Sequence, residues 1–313
     1  MMMGSFLFKQ KAREALKGNW QNALLVTFFS GVFVTIAQVL QTTVLQGVQS
    51  AMDSLTYLMG TVGAQLTTEQ SMQVLELYNK VFLEIEKIPQ GTWTMLLCIN
   101  LAALIITPAL TVGCNRYFIS LVTGGDIGVR EGLTGRLNIL LKALWLYVRM
   151  FVQIFLWSLL FFVPGIIAAL RYSMAAYFLA EDPSLSAGEA LRKSKQVMKG
   201  RKGSYFMLLI SFIGWNLLIT MAQLLLGGML GTVLTLVAAQ FMSLALNVYI
   251  NASSAAFYRA ISTEDGMNDL VDTMRRRMRQ AGISDDDISA AGFGETDVTI
   301  EEDADNADGG EEE

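Results

Sequence analysis

Long apolar stretches alternate with short polar ones along this chain, and their lengths predict a bundle of membrane-crossing α-helices. A crossing needs about 20 apolar residues at roughly 1.5 Å of rise each to cover about 30 Å of hydrocarbon. Stretches of that kind run over residues 23–45, 94–113, 143–163, 166–180, 204–226 and 232–254. The fold class read from the pattern is all-α: a polytopic membrane helical bundle of about six transmembrane helices with interfacial amphipathic helices. Residues 1–261 form the integral membrane domain, and residues 262–313 form a cytoplasmic amphipathic segment followed by an acidic disordered tail. The fourth stretch is short. Between residues 143 and 180 the only interruption is Pro164-Gly165, a pair that ends helices and permits reversals, so a hairpin turning there is expected.

Charge placement supports that hairpin, because lysine and arginine in short loops stay on the cytoplasmic side. With the N-terminus inside, Lys9, Lys11, Arg13 and Lys17 are cytoplasmic, as are Arg116, Arg130, Arg136 and Lys142 after the second span. Arg192, Lys193, Lys195, Lys199, Arg201 and Lys202 then follow the fourth span, and Arg275, Arg276, Arg277 and Arg279 follow the sixth; only Lys80 and Lys87 face outward. A single crossing over 143–180 would put the cationic loop outside. Both ends inside a bacterial cytoplasmic membrane is the resulting reading. The first apolar run has full span length and no small-residue cleavage site behind it, so it reads as an anchor that is kept.

Four pieces outside the spans carry patterns of their own. At the N-terminus Phe6, Phe8, Ala12, Leu16 and Trp20 interleave with cations, which suits a helix lying in the inner interface. Over residues 46–91, Thr67 and Gln70 have capping-box spacing, and Val74, Leu77, Val81, Ile85 and Ile88 recur at helical intervals. That helix is expected to lie on the outer leaflet or to roof the bundle. After Pro183, Ser186 and Glu189 form a second capping box, with Ala187, Ala190, Leu191, Ser194, Val197 and Met198 on one face and Arg192, Lys195 and Lys199 on the other. Gly200 supplies the stop. In the tail, Leu270, Val271, Met274 and Met278 alternate with arginines, and beyond Asp285 the acidic composition predicts disorder.

Composition sharpens the class and narrows the chemistry. Apolar residues make up 53%, charged residues 16%, and mean hydropathy is +0.43, values too oily for a soluble chain of 313 residues. The net charge of −5 conceals a division: residues 264–313 carry −13 and the membrane body +8. The chain has no histidine, which removes HExxH zinc sites and Ser-His or Cys-His nucleophiles. Cys98 and Cys114 fall more than four helical turns apart on or beside one span and read as core-filling thiols. Gly227 and Gly231 have GxxxG spacing at an expected outer turn, where flexibility is the simpler role. No catalytic constellation, metal site or cofactor is implied.

Arg171 stands apart, since an arginine within a span is costly and carries a functional hypothesis by default. Two readings stay open: it binds the phosphate of a lipid or amphiphile, or it snorkels to the outer interface. The candidate anion- or lipid-headgroup-binding set is Arg171, Tyr172, Arg192, Lys195, Lys199, Arg201 and Lys202. The candidate polar lining is Asn216, Gln223, Asn247 and Asn251. Arg149, near a span's inner end, reads as an ordinary snorkeller.

Several spaced motifs carry a family resemblance. The run Pro164-Gly-Ile-Ile-Ala-Ala-Leu-Arg-Tyr172 is followed by Asp182-Pro183, Ala190-Leu191, Ser194, Met198-Lys-Gly200, Lys202, Ser211-Phe212-Ile-Gly-Trp215 and Phe257-Tyr258. With Ala15-Leu16-Lys-Gly-Asn-Trp20 these resemble the bacterial integral-membrane family called domain of unknown function 975, over about residues 5–261. Val248-Tyr249 stands where that family commonly has a Pro-Tyr pair. The family is similar to membrane domains attached to some glycerophosphodiester phosphodiesterases, but no phosphodiesterase domain is present here. The resemblance implies a cytoplasmic-membrane protein without an established activity. The expected function is a noncatalytic module binding membrane lipids, or membrane or cytoplasmic proteins through the C-terminal tail, with no nucleic-acid partner. The alternative is a transporter or flippase for an anionic amphiphile.

Overall fold

A computed structural model describes residues 2–61, 67–125, 127–230, 232–263, 272, 275–276, 278–279 and 282–289. Among them every regular element is helical. Five segments are long and apolar enough to cross a membrane: Trp20–Gly60, Gln90–Val122, Val129–Leu160, Phe162–Glu181 and Lys202–Leu226. This marks a membrane protein.

The long helices pair as three hairpins. In the first, α2 (Trp20–Thr61) rises and α4 (Gln90–Val122) returns beside it. The second joins α6 (Leu140–Leu160) to α7 (Phe162–Tyr172), and the third joins α10 (Lys202–Leu230) to α11 (Thr232–Ser262). Short helices gather at one end, here called the base: α1 (Met2–Leu16), α5 (Val129–Thr134), α8 (Ala175–Glu181) and α9 (Ala187–Val197). The core sits there too. The last turns of α4 bury Val112, Cys114, Tyr117 and Phe118 among Ala12 and Leu16 of α1, Leu179 and Ala180 of α8, and Ala255 and Phe257 of α11. Away from the base the helices carry exposed Leu, Phe and Val, such as Leu224 and Phe241, as lipid-facing surfaces do.

The first hairpin departs from expectation at its far end. The segment after residue 45 packs along α2 instead of roofing the bundle. Helix α2 itself runs 42 residues, about 63 Å, without a break. The capped helix α3 (Thr68–Glu86) returns antiparallel along its far half, bringing Glu84 against Gly47. The capping box is as read, with Gln70 N donating to Thr67 Oγ1 at 3.2 Å and Thr67 N to Gln70 Oε1 at 3.0 Å. The cause is helix continuity: from residue 45 to Thr61 α2 contains no proline, and α3 offers it Val74, Leu77 and Val81 as a partner face. The two form a finger that extends the hairpin.

The second hairpin turns three residues before the Pro-Gly pair. Phe161 alone is extended (φ −160°, ψ 153°), and Pro164 lies in the first turn of α7, where its missing N–H is no loss. Gly165 serves packing instead of the turn. A Cβ there would collide with the Ser158 side chain and lie 3.0 Å from Ser158 Cα, so glycine is what lets α7 close onto α6.

The N-terminal helix also differs from its expected role. Leu7, Phe8, Ala12 and Leu16 of α1 are buried against the bundle and not in lipid. Phe8 meets Phe257 edge-on at 5.1 Å, Lys9 Nζ lies 4.4 Å from the Phe212 ring, and Arg13 Nε donates to Tyr249 Oη at 3.1 Å. Burial, then the neighbouring Arg13, push the Lys9 ammonium below its ordinary pKa. Helices α10 and α11 thus present an aromatic surface that α1 covers in place of lipid.

In the tail, Leu270, Val271 and Met274 lie outside the described residues, as does Gly231. Residues Asp285–Ile288, expected to be unstructured, open a single helical turn. Ser284 caps it through the Asp287 N–H at 3.2 Å, three carboxylates face its positive end, and Ile288 is buried. Cys98 and Cys114 are both free thiols, exposed and buried respectively.

The close α6–α7 approach predicts the effect of one added methyl. Gly165→Ala is expected to destabilise the hairpin by about 1–3 kcal/mol, seen as a lower melting temperature of the purified protein in detergent. An unchanged melting temperature would show that the two helices are not in contact there.

Candidate functional site

The base gathers cations. Of the 19 lysines and arginines before residue 264, all but Lys80 and Lys87 lie at this end. Several of them close helix ends. Arg136 donates to the Ala180 carbonyl from Nη2 at 2.6 Å and Nε at 3.0 Å, Lys142 Nζ reaches Pro183 O at 3.1 Å, and Arg201 Nη1 reaches Ile261 O at 3.0 Å. These donors satisfy carbonyls left open where α8 and α11 end, so Arg201 of the candidate set has a structural partner.

The carboxylates of the described base are likewise engaged. Glu181 accepts from Tyr258 Oη at 2.5 Å and pairs with Arg259 at 2.9 Å. Glu131 pairs with Arg116 at 2.8 Å, and Glu14 accepts from Gln10 at 2.7 Å. Asp182 takes the side-chain and backbone donors of Ser184, which hold its carboxyl below the ordinary range. Glu189 is held low in the same way by the backbone and side chain of Ser186, closing the capping box.

Among the cations left without an ion pair are those on the outer face of α9. Its inner face is the one the spacing predicts: Ala187, Ala190, Leu191 and Ser194 are buried against α6, α7 and α8, and Ser194 Oγ donates to Arg171 O at 2.8 Å. Gly200, at φ +76°, then reverses the chain into α10, a conformation costly for any residue with a Cβ. Arg192, Lys195 and Lys199 are therefore aligned on one exposed stripe with Lys193 beside it, and among the described residues none of the four makes an ion pair.

The other candidates scatter. Arg171 is half-buried at the last turn of α7, and among the described residues its guanidinium has no polar partner; Tyr172 beside it is buried. The bond from Ser194 fixes Arg171 close to the base, so a reach to the far interface is not its role. Arg149 lies at the same end, stacked over Trp145 at 5.2 Å. Lys202 opens α10 and is half-buried. Asn216 is exposed and donates to Phe212 O of its own helix at 3.2 Å, and Gln223 is half-buried farther along.

Asn247 and Asn251 do come together, in a groove of about 490 Å³ between α2 and α11. Its facing wall is Thr27, Ser30 and Thr35, with Gln240 and Ser243 completing the α11 side. The hydroxyls of α2 were missed in the sequence, although Thr27, Ser30 and Thr35 recur on one helical face and could have been found by periodicity. The groove holds no charge, and Arg171 does not line it.

Residues 159–265 match the model of the family described as "Protein of unknown function (DUF975)". The match covers α7 to α11, and so the cationic stripe and the Tyr258–Glu181–Arg259 cluster, while α1 to α5 lie outside it. No curated protein and no solved structure matches the chain.

The depressed carboxyls give α9 a pH response. Because the folded values lie below the ordinary ones, their bonds stabilise fully above the ordinary carboxylate range and fade as pH falls through the depressed values. Asp182→Asn combined with Glu189→Gln is expected to flatten the fall in melting temperature below about pH 4. A fall as steep as that of the unaltered protein would assign acid sensitivity to other groups.

Proposed function

We propose that this protein is a noncatalytic module of a bacterial cytoplasmic membrane that gathers anionic lipid headgroups on the α9 stripe. The carrying observation is that Arg192, Lys193, Lys195 and Lys199 are exposed without ion-pair partners among the described residues, whereas Glu131, Glu181, Asp182 and Glu189 at the same end are engaged. Phosphate-bearing headgroups complement such a stripe, each nearby cation contributing about 1 kcal/mol. The apolar face of α9 is locked to α6 and α7, so its cations are held in place without cost to the core.

In this reading the chain crosses six times, α11 making the sixth crossing as the 31-residue partner of α10, with both ends inside. Supporting the orientation is the axial asymmetry of charge, 17 cations at the base against two on the finger. The acidic tail, net −13, is complementary to the stripe and acts as its competitor or as a docking segment for a basic partner protein.

The second reading, transport of an anionic amphiphile, draws on the polar groove between α2 and α11. Arg171 lines no part of that groove, so an anion in it would meet no cation.

Replacing Arg192, Lys195 and Lys199 together by glutamine is expected to lower the retained anionic lipid several-fold in detergent, measured by mass spectrometry, at unchanged melting temperature. Equal retention would remove the headgroup proposal. Arg171→Gln, measured in parallel, separates an intramembrane phosphate site from the surface stripe. For orientation, a cysteine at Lys199 is expected to label only from the inside of cells and one at Ser71 only from the outside. Labelling of position 199 in intact cells by an impermeant reagent would invert the threading.

A further inference from the structure

A larger groove, of about 900 Å³, lies farther along α2, walled by α2, α4 and α6. All three walls belong to segments long and apolar enough to cross a membrane. Its volume is that of a small-molecule site, about 300–1,000 Å³. Two small buried residues make the space, Ala37 on α2 and Ala103 on α4.

The polar groups inside it are unusual for a lipid-facing recess. Pro108 sits within α4 and has no N–H to give the carbonyl of Leu104, one turn before it, and both residues line the groove. Beside that freed carbonyl, the Thr107 hydroxyl is buried and has no hydrogen-bond partner among the described residues. One turn below, Thr111 Oγ donates to Thr107 O at 2.9 Å and meets the Tyr147 hydroxyl. One turn above Leu104, Asn100 uses its Nδ2 on Leu96 O at 2.8 Å, and Asn100, Gln38 and Gln41 all line the groove. Donors and acceptors alternate along about 16 Å of α4, and no charged residue lines the groove.

An unmet hydroxyl and an unmet carbonyl in hydrocarbon are costly and call for a partner that reaches them through lipid. We propose that this groove is a binding site for an uncharged single-chain amphiphile with a hydroxyl-bearing head. A hydroxyl of the head donates to the Leu104 carbonyl, and another donates to or accepts from the Thr107 hydroxyl. The chain lies along Val148 and Phe151 of α6, which form the apolar wall. A carboxylate or phosphate head is disfavoured because nothing in the groove neutralises it. The site lies wholly outside residues 159–265 and is independent of the α9 stripe.

The test uses the full chain in detergent and a monoacylglycerol carrying a photoreactive diazirine in its chain. Labelled peptides are expected to come from α2, α4 and α6, with little on the exposed Leu224 and Leu225 of α10. Ala103→Phe, which fills the space, is expected to reduce groove labelling at least about tenfold and to leave α10 unchanged. Thr107→Val keeps the shape and removes the hydroxyl, and an affinity loss of about tenfold is expected. It carries the test if Ala103→Phe fails to fold. Labelling spread evenly over α10 and the groove, or a Thr107→Val variant that binds as well as the parent, would overturn the proposal. So would competition by a fatty acid of the same chain length as strong as that by the unlabelled monoacylglycerol, since the head would then not be read.

Discussion

Helices in hydrocarbon gain nothing from hiding apolar surface from one another, so they stay together only where backbones come close or polar groups meet. In this protein both conditions hold most densely at one end. The final turns of α4 form the axle of that end, with α1, α5, α8 and α11 packed around Val112 to Phe118. Alanines and glycines allow the approach, and Arg136 and Arg201 tie down the carbonyls that the short helices leave open. The long helices pair as hairpins above it, and the grooves along α2 lie between those pairs.

The same arrangement decides which cations are available. A helix that ends inside a packed base must find donors for its last carbonyls, and arginines from neighbouring elements fill that need. Carboxylates there are engaged as caps or as partners to Tyr258, Arg259 and Arg116. The exposed charge of α9 is part of what remains when those demands are met. Its own apolar stripe is narrow and wholly used for docking, so its polar face projects outward by geometry alone.

Local signals were the most legible in the sequence. Both capping boxes, the buried stripe of α9 and the Gly200 stop depend on neighbours within one or two turns, and each stands where spacing put it. Features set by partners far along the chain were less so. Nothing in residues 46–61 announces that α2 continues, because its stability there comes from α3 arriving antiparallel. The reversal at Phe161 was hidden because an extended phenylalanine carries no mark, while Pro164 carries a strong one compatible with either a turn or a first helical turn. Asn247 and Asn251 were visible as amides in a span, but Thr27 and Ser30 opposite them were not: a hydroxyl in a membrane helix commonly bonds to its own backbone, and only packing shows where it points.

The unbroken course of α2 has a mechanical consequence. One stiff rod joins the most tightly packed part of the molecule to its most distant tip, with no hinge between them to absorb motion. A tilt of about 10° at its foot sweeps the tip through about 11 Å. Whatever grips the finger therefore pulls directly on the foundation, and the two grooves along the rod change shape together as it leans.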